Sequence, residues 1–330
     1  MAKLVTIYGG SGFVGRYIAR RMAKAGWRVR VAVRRPNDAH FVRPYGVVGQ
    51  VEPVFCNIRD DESVRAVARG ADAVVNCVGI LAESGSQRFA ALQAEGAERI
   101  ARIAAAEGVE RMVQVSAIGA DPQSPSAYAR TKAAGEAGVL RHMPQAVILR
   151  PSIVFGPEDD FFNRFAAMAR SAPAVPVVGA GTRFQPVYVD DVAQAAVMGV
   201  LGKAPAGIYE LGGPDVQTFR ALMAEMLSVI RRRRMIVSIP FWAARIMGGG
   251  FDILGRITGG LVSGPITGDQ VRNLRRDNIV APGAKGFADL GIVPVAMEAV
   301  LPEYLWRFRP SGQYATSKAS ARNLKGGDLR

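Results

Sequence analysis

No Asp or Glu occurs in this chain before Asp38, and 330 residues contain only two cysteines, Cys56 and Cys77. The cysteines have no metal-ligand spacing, so a metal site is not expected and reduced thiols are. No run of about 18 uncharged apolar residues occurs, so nothing is expected to span a membrane. Internal repeats and low-complexity tracts are absent. No signal peptide is expected, because the chain starts almost directly in an apolar strand-like run. Acidic charge is scarce overall: 28 Asp and Glu against 42 Lys and Arg give a net charge of +14. The imbalance is uneven. Residues 231–330 hold 16 basic and 7 acidic side chains, and the first 230 hold 26 and 21. The final third is therefore the part suited to anionic lipid, nucleic acid or an acidic protein surface. Aromatics are not interleaved with its basic run and no nucleic-acid module is recognisable, so nucleic acid is not expected.

What is present is glycine in one informative place. Leu4 to Tyr8 is a short apolar run, and Gly9-Gly10-Ser11-Gly12-Phe13-Val14-Gly15 follows it, leading into a helical pattern from Arg16. A strand that ends in G-x-x-G-x-x-G and enters a helix cradles a dinucleotide pyrophosphate. Gly9 permits the tight turn, Gly12 lets the backbone approach the phosphates, and Gly15 lets helix and strand pack closely. The next strand, Arg28 to Val33, ends in Arg34-Arg35. A carboxylate at that place would hold a ribose 2′-hydroxyl and repel a 2′-phosphate, whereas a guanidinium pairs with the phosphate. The arginines thus favour NADP(H) over NAD(H); the plainer reading is a pair of solvated loop charges.

Strands are expected at 3–8, 28–33, 51–55, 73–78, 111–116 and 146–150, and helices at 13–25, 61–69, 87–107 and 126–142. This alternation predicts an α/β fold, a Rossmann-type doubly wound parallel sheet covered on both faces. Apolar content of 49% supports a sizeable core. The expected division is a dinucleotide-binding core over 1–150, an interleaved part over 151–310 that completes the cleft and supplies a docking surface, and an extended basic tail over 311–330. Tyr128 and Lys132 form Y-x-x-x-K on a predicted helix, where a spacing of four places both on one face. In such a pair the ammonium is expected to lower the tyrosine pKa and to hold a nicotinamide ribose, and the tyrosine to serve as general acid or base.

With these residues the chain resembles the extended, atypical short-chain dehydrogenase/reductase family. The resemblance implies that Asn57-Ile58 lies near the adenine and Val78-Gly79 lines the cofactor cleft. It also implies that Ser116 ends the fifth strand, and that Pro151-Ser152-Ile153 lies along the nicotinamide. Active members carry a catalytic hydroxyl one or two residues beyond the position of Ser116; here those positions are Ala117 and Ile118, which puts turnover in doubt. A narrower resemblance rests on Arg150-Pro151-Ser152-Ile153-Val154-Phe155-Gly156-Pro157-Glu158-Asp159, Phe162-Asn163, Gln185 to Val192, Asp269-Gln270-Val271 and Asp277-Asn278. These runs are similar to the accessory dehydrogenase-like subunits of respiratory complex I. That implies tightly held NADPH, no turnover, and a place on the peripheral arm near the quinone module, just above the membrane. It also implies a chain from the cytoplasmic side of a bacterial inner membrane, or from the matrix side in mitochondria.

In the basic third, Arg231-Arg232-Arg233-Arg234 is expected to end a helix running from about Phe219 and to complement its dipole. The stretch from Phe241 to Val262 mixes aromatic and apolar residues with three charges, which suits a membrane interface, a partner surface or a buried helix pair. The tail from Pro310 is too polar to fold alone. Three functions remain open: a non-catalytic NADPH-binding subunit of complex I, an active NADP-dependent reductase or epimerase, and a cofactor-sensing regulator or nucleic-acid binder.

Overall fold

Short apolar strands and amphipathic helices alternate through the first half of the chain. The structure is a computed structural model describing residues 2–257 and 267–312, without side-chain detail for 251–257. The expectations for Leu261, Val262 and nearly all of the tail lie outside the described residues. Strands β1 (Leu4–Tyr8), β2 (Arg28–Val33), β3 (Val51–Phe55), β4 (Ala73–Asn76), β5 (Arg111–Val115) and β6 (Val147–Pro151) alternate with helices α1 (Phe13–Lys24), α2 (Asp61–Ala68), α3 (Glu95–Ala106) and α4 (Ala127–His142). Beyond them come β7 (Val154–Phe155), α5 (Phe161–Ser171), β8 (Ala174–Val178), β9 (Arg183–Phe184), β10 (Val187–Tyr188), α6 (Val189–Val200) and β11 (Gly207–Leu211). Then follow β12 (Gln217–Thr218), α7 (Phe219–Val229), β13 (Met235–Ile239), α8 (Phe241–Ile257), α9 (Gly268–Asn273) and α10 (Met297–Leu305).

Seven strands form one parallel sheet in the order β11-β6-β5-β4-β1-β2-β3. The order reverses between β1 and β4, which opens a crevice at the carboxyl ends of the strands, where α/β folds hold their ligands. Both faces are covered, so the central strands read as apolar runs. Val5, Ile7, Val29 and Val31 pack under α1 and α6 with Ile18, Met22, Val192 and Ala196. Tyr8, Val74, Met112 and Ile148 pack on the other face with Val64, Ile100, Ile103 and Val139 of α2, α3 and α4.

Two features depart from the expected alternation. The sheet has a seventh strand, β11, and α6 returns to pack against α1, where Arg21 forms a fork with Asp190 at 2.7 Å. The sheet layer therefore draws on chain well beyond residue 150. The helix expected over 87–107 begins as a π turn, Ala90–Ala94, before α3. Gly135 of α4 packs on the carbonyl of Gln93 there, so closely that a side chain at 135 would collide with it. A third core lies in the C-terminal part, where Phe155, Phe162, Phe184 and Phe219 pack with Leu222, Met226, Leu301 and Tyr304. Beside it β13 pairs in parallel with β8. Helix α7 ends at Val229, so Arg231–Arg234 leave the helix and lead into β13. That corrects their expected place in the last helical turn.

Candidate functional site

Every residue singled out for cofactor contact lies at the carboxyl edge of the sheet. Gly9, Ser11, Gly12, Phe13, Val14 and Gly15 make the turn from β1 into α1. Gly9 has φ +73° and its N–H donates to the Ala32 carbonyl at 2.9 Å, a left-handed turn that any side chain would strain. A methyl group on Gly15 would collide with the Gly9 carbonyl, so helix and strand touch there. Gly12 behaves differently. It is exposed, and a methyl group on it would meet only the Gly9 carbonyl, at 3.1 Å. It is also the N-cap of α1, with no side-chain cap and no acidic residue in the first turn. Helices α2 and α4 are capped by Asp60 and Ser126. The first N–H groups of α1 are thus left available to an anion, and the helix dipole favours one.

The neighbouring strand ends complete this side. Val78 Cγ2 lies 3.3 Å from where a methyl group on Gly9 would sit, and Gly79 is exposed. Asn57 and Ile58 follow β3: the Asn57 N–H donates to Ser63 Oγ at 2.9 Å, and Ile58 is buried. Arg34 and Arg35 project from the end of β2 into solvent, with Arg35 only 3.9 Å from the exposed Asp38 carboxylate. An open helix end, a glycine wall and guanidinium groups where a ribose carboxylate would stand fit a nicotinamide dinucleotide.

The catalytic-looking residues are arranged differently. Lys132 is buried, its Nζ 3.4 Å from the Val115 carbonyl and 5.8 Å from the centre of the Tyr128 ring. Burial pulls this ammonium down to about 8, against the influence of Glu136 and Cys77. The Tyr128 phenol is pushed up to about 12 by burial, and Phe89 packs edge-on to its ring. The expected lowering of the tyrosine by the lysine is therefore corrected: desolvation by burial governs the phenol and raises its pKa. Ser116 is buried and its hydroxyl donates to Glu136, which also receives the Arg150 fork at 2.6 and 3.0 Å. Arg150 in turn lies 3.5 Å from Glu210 of β11. Ser116 thus belongs to a buried ionic network and has no proton to offer a substrate. Pro151 ends β6 in register with Leu211, and Ser152 beside it is buried, its hydroxyl donating to the Asn278 side chain at 2.7 Å. Ile153 is partly buried against the C-terminal core.

Residues that sequence reasoning had not placed tie this side shut. Asp269 accepts from Ser126 Oγ at 2.7 Å and from the Ala127 and Tyr128 N–H groups at 2.8 and 3.1 Å, so it caps the very turn that carries Tyr128. Arg276 donates to Asp121 at 3.1 Å, and Gln270 reaches the Leu81 carbonyl at 3.4 Å. With Asn278 on Ser152, the segment 267–278 is bound to the loops after β4, β5 and β6 and to the start of α4. The runs containing Asp269 and Asn278 stood out in the sequence, but nothing local says that they reach back more than a hundred residues.

The basic run also divides once folded. Arg232 donates to the Phe308 carbonyl and Arg234 to the Ala169 carbonyl, each at 2.8 Å. Arg231 and Arg233 are exposed and, with Leu227, Met235 and Ile236, help to line a groove of about 770 Å³. Met235, Val237, Trp242, Ile246 and Met247 are exposed nearby, Trp242 and Ile246 by 68% and 69%. No described helix is long and apolar enough to cross a membrane, and no metal-ligating cluster occurs among the described residues.

Comparison with known proteins agrees with this geometry. Residues 5–212 match the NAD dependent epimerase/dehydratase family. The NADH dehydrogenase [ubiquinone] 1 alpha subcomplex subunit 9 of Arabidopsis thaliana mitochondria is 35% identical over 94% of this chain and 79% of its own length. Its mouse counterpart is 30% identical over 93% and 80%. The ceramide reductase of Caulobacter vibrioides is 30% identical over 72% and 74%. Among solved structures, the UDP-glucose 4-epimerase of Thermus thermophilus in complex with NAD superposes with a TM-score of 0.67 at 19% identity, covering 93% of this chain and 99% of its own. The chain belongs to the NAD dependent epimerase/dehydratase family and, within it, groups with the mitochondrial NADH dehydrogenase alpha subcomplex subunit 9 proteins.

Proposed function

We propose that this chain is a non-catalytic, NADPH-binding accessory subunit of respiratory complex I, which helps to hold the peripheral arm together near the quinone module. One contrast carries the reading: the dinucleotide side of the crevice is left open to an anion, while the substrate side is tied off. In this reading the glycine loop and the start of α1 take the pyrophosphate, and Arg34 and Arg35 take the 2′-phosphate. Asn57 and Ile58 flank the adenine, Val78 and Gly79 wall the cleft, and Ser116, Pro151, Ser152 and Ile153 border the nicotinamide. Lys132 and Tyr128 hold its ribose. Bound only to the native state, the cofactor stabilises the fold by about 4 kcal/mol at a thousandfold excess over its dissociation constant.

Attachment is assigned to the C-terminal part. Trp242, Ile246, Met235 and Val237 form an exposed apolar face flanked by Arg231, Arg233 and Arg245, which suits neighbouring subunits at an anionic membrane surface. The chain is then a peripheral protein on the cytoplasmic side of a bacterial inner membrane, or on the matrix side in mitochondria. The test is blue-native electrophoresis of source membranes solubilised in mild detergent. The chain should migrate with NADH dehydrogenase activity; migration as a free protein would refute the reading.

A second reading, an active NADP-dependent reductase, has the intact Tyr128–Lys132 pair and the ceramide reductase relative in its favour. It requires the chain to consume NADPH with a carbonyl substrate, and the occupied Ser116 and the bound segment 267–278 argue against it.

A further inference from the structure

We propose that Arg16 is a third guanidinium of the 2′-phosphate slot and sets the preference for phosphorylated dinucleotide together with Arg34 and Arg35; this rests on the dinucleotide reading above. The glycine loop and the end of β2 are adjacent walls. The Gly9 N–H donates to the Ala32 carbonyl at 2.9 Å, and a methyl group on Gly10 would lie 3.1 Å from Val31 Cγ1. Arg34 and Arg35 leave β2 just beyond Ala32, and a 3-10 helix, Pro36–Tyr45, follows at once. Arg16 bridges the two walls from the first turn of α1. Its Nη2 donates to the Ser11 carbonyl at 3.1 Å and its Nε to the Gly12 carbonyl at 3.3 Å. Its guanidinium lies over the Phe41 ring of the 3-10 helix, 4.7 Å from the centre.

Two facts separate Arg16 from a simple brace. Its side chain is 25% exposed, so the fork is held on one side and open on another. Its Nη1 is directed toward Glu158 Oε1 at 3.6 Å, an ion pair longer than a hydrogen bond. Glu158 already accepts from Tyr17 Oη at 2.9 Å. A doubly charged phosphate between Ser11 and Arg34 offers Nη1 a stronger acceptor than the partly exposed Glu158, and planar guanidinium is suited to it. Arg34 and Arg35 must be ordered when ligand arrives, whereas Arg16 is ordered beforehand and loses less side-chain freedom. Nothing local in the sequence hints at this, because Arg16 stands immediately after the last glycine of the loop and well before the arginines that follow β2.

The experiment is titration of the purified full-length chain with NADPH and NADH, and with the fragments adenosine 2′,5′-bisphosphate and AMP. Arg16→Gln should weaken NADPH and the bisphosphate about tenfold or more, and change NADH and AMP by less than about twofold. Arg16→Lys, which keeps the charge and loses the fork, should show a smaller loss with the same selectivity and covers the case in which the glutamine variant folds poorly. Glu158→Gln removes the competing carboxylate and should strengthen NADPH alone. Equal losses for both dinucleotides would make Arg16 a brace of the loop and overturn the proposal, as would no loss at all. Failure of the wild-type chain to bind either dinucleotide would overturn the dinucleotide reading itself and this proposal with it.

Discussion

The two sides of one crevice are built from the same strand ends and have opposite character. On the side of the glycine loop the start of α1 carries no side-chain cap, and Arg34 and Arg35 are exposed to solvent. On the side of Ser116, Ser152 and Tyr128 the polar groups are spent internally. Ser116 serves Glu136, Ser152 serves Asn278, and the helix turn bearing Tyr128 is capped by Asp269. A working reductase must keep its proton donors free for a substrate. A protein that only holds a cofactor needs no free proton donor on the second side, and can use its polar groups for stability.

Substitutions on the open side should do the most to the cofactor. Gly12→Val places a branched side chain where the pyrophosphate approaches, and its Cβ meets only the Gly9 carbonyl, at 3.1 Å, a contact that a shift of a few tenths of an ångström relieves. It should weaken NADPH more than a hundredfold, about 2.7 kcal/mol, and leave the fold intact by circular dichroism. Normal binding by this variant would show that the loop is an ordinary turn. Arg34→Asp should cost roughly 1.5–3 kcal/mol of NADPH affinity and spare NADH, measured by calorimetry. Equal affinity of the wild-type chain for both dinucleotides would remove the basis for assigning the 2′-phosphate.

The closed side should respond in stability. Asp269→Ala removes a cap with three hydrogen bonds and should lower unfolding free energy by about 0.5–2 kcal/mol in urea titration, with NADPH affinity little changed. Lys132 adds a pH signature. Its pKa is about 8 in the folded protein, against the ordinary 10.5 of a solvated lysine, so the unfolded chain binds more protons between those values and stability from this group rises with pH across that window. Lys132→Met should flatten the rise, seen in melting temperatures of the cofactor-free protein; an unchanged slope would mean that the ammonium is better solvated than its burial implies. The smallest effect belongs to Tyr128→Phe. Quinone reductase activity of the assembled complex should stay within about twofold of wild type, because no step there uses the phenol. A tenfold fall with normal assembly would move Tyr128 into the chemistry.

Much of the open side was legible because it is local. Leu4–Tyr8, the three spaced glycines and Arg34-Arg35 lie within one strand–helix–strand unit, and each residue type has a backbone or charge reason to be where it is. The strands and helices of that half were legible for the same cause: apolar periodicity is a short-range signal. The closed side depends on contacts across the chain. Glu136 with Ser116 and Arg150, Asp269 with Ser126, and Asn278 with Ser152 all need the fold before they meet. β11 was missed because Glu210 interrupts a five-residue strand, and the fate of Arg232 and Arg234 because both bond to backbone carbonyls that no composition reveals. The tyrosine–lysine pair was placed correctly on one helix, but the direction of the tyrosine's pKa shift was misjudged, because burial raises it and spacing says nothing of burial.

The most direct measurement is the bound cofactor itself. Complex I purified through a tag on this chain should contain one NADPH per copy of the chain, quantified after denaturing release. That NADPH should remain reduced, followed by its fluorescence, while the complex turns over many times with NADH and quinone. Loss of the NADPH signal in step with turnover, or a release of NAD(H) in its place, would contradict a cofactor that is held and not used.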